Sequence, residues 1–233
     1  MVYNDNEEEH METLEKLFTK LSENGLAIAL DKCSFGQPSI EYLGYKVDET
    51  GISPLKRKVD CILKLPDPTT QKELLRFLGA VNYFRSCLKG IIKNGKFINT
   101  AEVLKPLYAA ATTTDLKPKQ KFKEAWDSQS SLRQSYLDAK SLIVNPVLLA
   151  HPDPNLPLAL STDASHHSVG AVLEQRNHDG VWEPLEFWSR GLGQDKLSWS
   201  TYRKELMAAQ HGPVTSWKTS MGDILQYLAT TDL

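Results

Sequence analysis

The stretch Leu156–Ser165, which reads LPLALSTDAS, decides the fold of the C-terminal part of this sequence. A short apolar run between a proline-rich linker at His151-Pro152-Asp153-Pro154 and a polar tail is typical of a buried β-strand. We therefore predict a strand over Leu156–Thr162 that leads into Asp163 and a turn at Ala164-Ser165. A carboxylate then stands at the end of a predicted central strand.

The pattern downstream of this stretch extends the sheet. Val169–Leu173 and Glu186–Ser189 predict two further strands, separated by a turn at His178-Asp179-Gly180. A helix is predicted near Thr201–Gln210, and another strand near Leu225–Ala229. Strands combined with a helix in this order predict a mixed α/β sheet.

The N-terminal part begins with a predicted helix. Asn6 followed by Glu9 resembles a capping signal, and Gly25 stands where a C-terminal glycine ends a helix. The sequence then becomes strand-like around Ala27–Leu30 and Tyr42–Val47.

The middle of the chain predicts a helical unit. Ser53-Pro54 is typical of an N-cap and first helical position, and Thr70 with Glu73 forms a capping box for a second helix. A third helix is predicted over Phe122–Leu142. The second helix carries an apolar stripe at helical spacing: Leu74, Phe77, Leu78, Val81, Phe84 and Leu88.

Charge is distributed unevenly along the 233 residues. Residues 51–125 hold 15 of the 27 Lys and Arg residues but 6 of the 29 Asp and Glu residues, so a basic middle lies between acidic ends. A basic region permits contact with a phosphate backbone, although a solvated helical surface has the same composition. The sequence contains no membrane-spanning apolar run and no signal-peptide pattern, and its three cysteines have no pairing pattern. These features predict an intracellular protein, cytoplasmic or nuclear, that does not contact membranes.

Several blocks of sequence follow one another in a recognisable order. They are Glu41–Tyr45 (EYLGY), Glu73–Arg85 (ELLRFLGAVNYFR), Asn145–Asp153 (NPVLLAHPD), Leu160–Ser165 (LSTDAS) and Ser200–Leu206 (STYRKEL). Together they resemble the reverse transcriptase and RNase H region of Gypsy-type LTR retrotransposon Pol polyproteins. Because the blocks are collinear, the resemblance is more specific than any single motif.

The resemblance implies an α+β fold in four parts. These are the end of a reverse transcriptase palm with a small β-hairpin (1–52), a helical thumb-like region (53–120), a connection helix and linker (121–154) and a partial, truncated RNase H-like domain with a mixed sheet (155–233).

The resemblance also implies a metal-dependent site. RNase H-type hydrolysis needs carboxylates that bind two Mg²⁺ ions, and Asp163 and Glu205 match the first two carboxylates of the family. Asp232, in Thr231-Asp232-Leu233, is the only candidate for the third. Without the resemblance, Asp163 is also explained as a turn residue, Glu205 as a solvated helical residue and Asp232 as part of a loose terminus. The neighbouring His166 and His167 are interpreted as surface residues.

A nucleic-acid surface follows from the same resemblance. Leu43-Gly44 matches the block that lies near the primer end in this family, and the thumb helices lie along the duplex. RNA–DNA hybrid or duplex nucleic acid is therefore the expected partner. The candidate phosphate contacts are Lys56, Arg57, Lys58, Lys72, Arg76 and Arg85. Tyr83 is a further, ambiguous candidate for base stacking.

The family's Tyr-x-Asp-Asp polymerase motif does not occur in this sequence. We therefore expect a retroelement fragment without polymerase activity, and with weak or no hybrid cleavage because the last part of an RNase H domain has no match. The missing polyprotein segments are its expected partners. The alternative is a non-catalytic nucleic-acid-binding protein that uses the basic helices alone.

Overall fold

The computed structural model describes residues 2, 4, 6–113 and 119–212, and they divide into two compact units, Met1–Pro38 and Ser39–Leu233. Helices and short antiparallel sheets are present together, so the predicted α+β class is confirmed. Within the described ranges, no helix combines the length and the apolar character needed to cross a membrane.

The first unit is built on one helix, α1 (Glu7–Glu23). The Asn6 side chain accepts a hydrogen bond from the Glu9 amide at 2.8 Å, which confirms the predicted cap. Gly25 follows the helix with a left-handed φ of 71°. The strand predicted around Ala27–Leu30 is wrong. A 3₁₀ turn spans Leu30–Lys32, and the described residues of this unit contain no strand.

The second unit begins with an antiparallel sheet in the order β1 (Ser39–Tyr42), β2 (Tyr45–Asp48), β3 (Gly51–Pro54). The strand predicted around Tyr42–Val47 is confirmed for Tyr45–Val47, which lie in β2, but Leu43-Gly44 forms a two-residue turn, with φ of 47° and 86°.

The predicted helix start at Ser53-Pro54 is also wrong. Both residues end β3, which is an edge strand of this sheet. Proline is tolerated there because its missing N–H group removes no hydrogen bond from the interior of the sheet. Helix α2 (Lys56–Leu63) begins two residues after Pro54.

A helical core follows. It contains α2, α3 (Gln71–Tyr83), α4 (Thr100–Thr112), α5 (Lys119–Ser128) and α6 (Ser130–Val144), with a small hairpin of β4 (Ile91–Lys93) and β5 (Lys96–Ile98) before α4. All six residues of the predicted apolar stripe are buried. The predicted cap of α3 is confirmed, since the Thr70 side chain accepts a hydrogen bond from the Glu73 amide at 3.2 Å.

The helix predicted over Phe122–Leu142 is two helices. Gln129 between α5 and α6 has an extended backbone, and the break brings the Trp126 ring against Tyr136 with ring centroids 5.3 Å apart. Tyr136 also packs on Phe77 at 4.3 Å, so both helices contribute to one core. The sequence period alone does not show this break because apolar residues continue at helical spacing across it, from Phe122 and Trp126 to Leu132 and Tyr136.

The third sheet has the order β6 (Leu158–Ala164), β7 (Ser168–Arg176), β8 (Trp182–Gly191), and its pairs are antiparallel. Helix α7 (Thr201–His211) packs through Met207 and Ala208 against Val169 of β7. The predicted turn at His178-Asp179-Gly180 is confirmed, with Gly180 at a φ of 80°. The strand predicted near Leu225–Ala229 lies outside the described residues.

A polar joint, defined by Asn99, Glu102, Ser165, Ser168 and Ser189, connects the start of α4 to the third sheet, and all of its members are buried or half-buried. The Asn99 amide donates to the Ser168 hydroxyl at 2.8 Å, and the Ala101 amide donates to the Ser189 hydroxyl at 3.1 Å. The Glu102 carboxylate accepts from the hydroxyls of Ser165 and Ser168 at 3.1 and 3.2 Å. The joint therefore fixes the β6–β7 turn against the helical part of the unit.

Ser168→Ala tests this joint. Ser168 is fully buried, and its loss leaves Asn99 and Glu102 with one hydrogen-bond partner fewer each. We expect the free energy of unfolding to fall by about 1–3 kcal/mol. Ser141→Ala removes an exposed hydroxyl that bonds within α6 and should change stability by less than about 0.5 kcal/mol. Urea denaturation of both variants measures the difference, and equal effects would contradict the role of the joint.

Candidate active site and nucleic-acid surface

A cleft of about 580 Å³ lies beside the third sheet, and both Asp163 and Glu205 line it. Asp163 is the penultimate residue of β6, and Glu205 lies in the second turn of α7. The Ser200 hydroxyl caps α7 by accepting from the Arg203 amide at 3.4 Å. The strand and the helix named by the sequence analysis therefore bring these two carboxylates to the same cleft.

Strand register shows which face of the sheet carries each residue. Asp163 pairs with Gly170 of β7, and Gly170 pairs with Ser189 of β8, so the three lie on one face. Val169 lies on the other face, which α7 covers. The cleft is lined by Asp163 and Gly170 from one face, by Ala171 and Trp188 from the other, and by Glu205 of α7.

The residues at the cleft can be tested against the needs of Mg²⁺. Within the described residues, no group of three or more His, Cys, Asp or Glu side chains could hold a metal ion. Mg²⁺ is commonly held by one or two carboxylates together with water and substrate phosphate oxygens, a donor set that Asp163 and Glu205 fit. Asp232, the predicted third carboxylate, lies outside the described residues.

The turn that follows Asp163 is held from both sides. The Ser165 hydroxyl bonds Glu102 of α4, as described above. From the other side, the buried Lys204 of α7 donates its ammonium group to the carbonyl of His166 at 3.4 Å and to that of Leu197 at 3.1 Å. Sequence reasoning missed both Glu102 and Lys204. The signal available at Glu102 was its capping partner Asn99, three residues earlier.

His166 and His167 lie on the surface, as predicted. Their rings are 4.6 Å apart, and the nearby cation of Lys105, followed by smaller effects, lowers the pKa of His167 below its usual value. A lowered pKa keeps His167 neutral to a lower pH than an isolated histidine.

The predicted Leu43-Gly44 segment is the exposed tip of the β1–β2 hairpin. Leu43 is 68% exposed. Its backbone is left-handed, a conformation that is unfavourable for a residue with a side chain. Its carbonyl accepts a hydrogen bond from the Tyr83 hydroxyl, and the Gly44 carbonyl accepts from the Leu55 amide at 3.0 Å. The end of α3 therefore holds this tip in place, and the Tyr83 hydroxyl is engaged in the contact.

The predicted phosphate contacts differ in their surroundings. Lys56, Lys58, Lys72 and Arg76 are exposed on α2 and α3. Arg57 is exposed and forms an ion pair with Glu41.

Arg85 is engaged inside the protein. Its guanidinium donates to the Ser189 carbonyl, to the Ser189 hydroxyl at 3.1 Å and to the Asn82 side chain at 2.9 Å. Burial lowers the pKa of Arg85. Its bonds to β8 compete with the predicted phosphate contact.

Two family models match this chain. Residues 1–47 match the reverse transcriptase (RNA-dependent DNA polymerase) family, and residues 126–219 match the RNase H-like domain found in reverse transcriptase. The second match contains both Asp163 and Glu205.

Curated relatives give the same picture. The chain is 36% identical over 205 residues to the retrovirus-related Pol polyprotein from transposon 297 of Drosophila melanogaster, a match that covers 86% of the chain and 17% of the relative. It is 31% identical over 209 residues to the transposon Tf2-3 polyprotein of Schizosaccharomyces pombe, covering 89% of the chain and 14% of the relative. The chain thus spans less than a fifth of the length of these relatives.

Solved structures share the fold. The foamy viral protease-reverse transcriptase in complex with RNA/DNA hybrid superposes with a TM-score of 0.72 at 22% identity, over 97% of this chain and 28% of that one. The same enzyme in complex with dsDNA gives a TM-score of 0.71. Together with the family models and the curated relatives, this match shows that the chain is a reverse transcriptase/RNase H-like segment of a retrotransposon Pol polyprotein.

Proposed function

We propose, against the expectation of weak or no cleavage drawn from the sequence, that this segment cleaves the RNA strand of an RNA–DNA hybrid, with Asp163 and Glu205 as the protein ligands of a divalent metal. The observation that carries the proposal is that both carboxylates line one cleft, although they come from different elements of the fold. The family of the segment supports the choice of reaction.

Asp163 and Glu205 would hold Mg²⁺, whose chemistry when bound would be to lower the pKa of a water and to stabilise charge on the leaving oxygen. The protein's own residues hold the geometry. Asp163 presents its carboxylate from the end of β6, and the turn after it is fixed by Glu102 and Lys204. Glu205 reaches the cleft from α7, whose buried face anchors it to the sheet. Rigid support of this kind is needed because two neighbouring carboxylates repel each other.

The exposed cations of α2 and α3 are proposed to hold the nucleic acid. Phosphate contacts by Lys56, Lys58, Lys72 and Arg76 would set affinity and leave sequence preference largely unaffected. That the foamy viral enzyme was solved with RNA/DNA hybrid and with dsDNA supports a duplex as the partner.

Asp163→Asn tests the proposed reaction. The change keeps the shape of the side chain and removes its charge, so Mg²⁺-dependent cleavage of an end-labelled RNA strand in a hybrid should fall by at least about a hundredfold. Glu205→Gln should act in the same direction. Asp179→Asn, in the exposed β7–β8 turn, is the matched control and should leave the rate unchanged.

Two results would contradict the nuclease proposal. One is cleavage by Asp163→Asn at the wild-type rate. The other is a wild-type chain that binds hybrid but does not cut it at any Mg²⁺ concentration, which would favour the second function below.

The second candidate function is binding of duplex without catalysis. It is favoured by the exposure of the α2 and α3 cations, which does not depend on the cleft. Lys56→Glu combined with Lys58→Glu should weaken hybrid binding at low salt and lower the slope of log affinity against log salt by about one per lost contact. Lys121→Glu combined with Lys123→Glu, an equal charge change on α5, should have a smaller effect. Fluorescence anisotropy at several salt concentrations measures both, and identical slopes would exclude a specific role for α2.

A further inference from the structure

The cleft has an aromatic wall that the carboxylates do not explain. Phe97 of β5 and Phe187 of β8 both line it, as does the exposed cation Lys89. The hairpin that carries Phe97 belongs to the helical part of the unit, whereas Phe187 belongs to the third sheet. The cleft is therefore formed by two parts of the chain that are far apart in sequence.

Register places Phe187 on the same sheet face as Asp163. Phe187 pairs with Val172, and Val172 pairs with Ser161, one row of side chains away from the row of Asp163 and Gly170. Neighbouring rows on one face are separated by two residues along a strand, or about 7 Å. Phe187 and Asp163 are also two strands apart, at about 4.8 Å per strand, so their backbone positions lie roughly 12 Å from each other on one face.

Phe97 is held in position by a glycine. A Cβ atom placed on Gly90 would lie 2.7 Å from the Cζ atom of Phe97, so the ring occupies space that only glycine leaves open. The φ of Gly90 is 135°, which also favours glycine. Phe97 is 42% exposed, and it lines the cleft.

A second glycine keeps space next to Asp163. Gly170 is the direct pairing partner of Asp163, and a Cβ atom there would meet nothing closer than the Asn99 amide nitrogen at 3.7 Å. A larger side chain at this position would project beside the carboxylate and reduce the cleft.

The size of the cleft limits what it can hold. Its volume of about 580 Å³ is typical of sites for small molecules or single groups, which span roughly 300–1,000 Å³. One nucleotide fits, because aromatic faces stack any base and a lysine attracts its phosphate.

We propose that the cleft binds one unstacked nucleobase of the strand presented to Asp163, between Phe97 and Phe187, with Lys89 beside its phosphate. This inference rests on the proposed function, because that function brings a strand to the cleft. Removing a base from its stack is easiest at a mismatched position. The subsite therefore favours hybrids with a mismatch next to the scissile phosphate.

Photochemical cross-linking locates the base directly. The full chain is irradiated with an RNA–DNA hybrid that carries a single 5-iodouridine in the RNA strand, either paired or mismatched, with Ca²⁺ replacing Mg²⁺. Mass spectrometry should find the cross-link on Phe97 or Phe187, with a higher yield for the mismatched hybrid. Cross-links only at other residues, or none at all, would overturn the proposal.

A substitution series measures the contribution of the ring. Phe97→Leu should weaken binding of the mismatched hybrid by about 5- to 150-fold, the range for losing one base stack, and Phe97→Trp should restore it. Trp182→Leu is the control, since Trp182 is 39% exposed on β8 but does not line the cleft. Gly170→Val should reduce binding by filling the cleft. Equal affinities for Phe97→Leu and Trp182→Leu would refute the subsite.

The two proposals fail in different ways. A wild-type chain that cross-links through Phe97 or Phe187 but does not cleave loses the nuclease function and keeps the subsite. A chain that cleaves in an Asp163-dependent way, but cross-links elsewhere, keeps the function and loses the subsite. The cross-link map uses the wild-type chain, so it remains decisive if a variant does not fold.

Discussion

The β6–β7 turn is the constraint on which the cleft depends. Asp163 lies just before this turn, and the turn is tied to α4 by the Glu102 carboxylate and to α7 by the Lys204 ammonium group. Hydrogen bonds to charged groups contribute about 1.5–3 kcal/mol each, more than neutral ones. Because the two anchoring helices are themselves fixed by buried apolar residues, the position of Asp163 is set by both the helical part and the sheet.

A partly buried charge lies at the same junction. The Arg85 guanidinium bonds Ser189 of β8, its Nε atom has no hydrogen-bond partner, and burial lowers its pKa. Such a charge is costly to desolvate, so its value lies less in stability than in fixing one arrangement of two packed parts. Ser189 receives Arg85 and the Ala101 amide together, which joins the end of the α3 region and the start of α4 to one point of β8.

Sequence patterns predicted the features that depend on neighbouring residues. The capping boxes at Asn6 and Thr70, the buried stripe of α3 and the β7–β8 turn were all recognisable because each is determined within about ten residues. Features that depend on distant partners were not. Gln129 breaks a helix so that Trp126 can reach Tyr136, and Pro54 ends a strand because β2 lies beside it. The polar joint has no local signature, since Ser168 and Asn99 are 69 residues apart.

Asp163 was predictable from a motif, but the cleft around it was not. The resemblance names carboxylates, whereas the opposite wall comes from the β4–β5 hairpin, where Phe97 packs on Gly90. The Asn99 side chain follows this hairpin directly and bonds the sheet, so the hairpin cannot shift without disturbing the polar joint. The sheet and α7 alone would therefore present Asp163 and Glu205 in an open groove, and the helical part converts that groove into a cleft of nucleotide size.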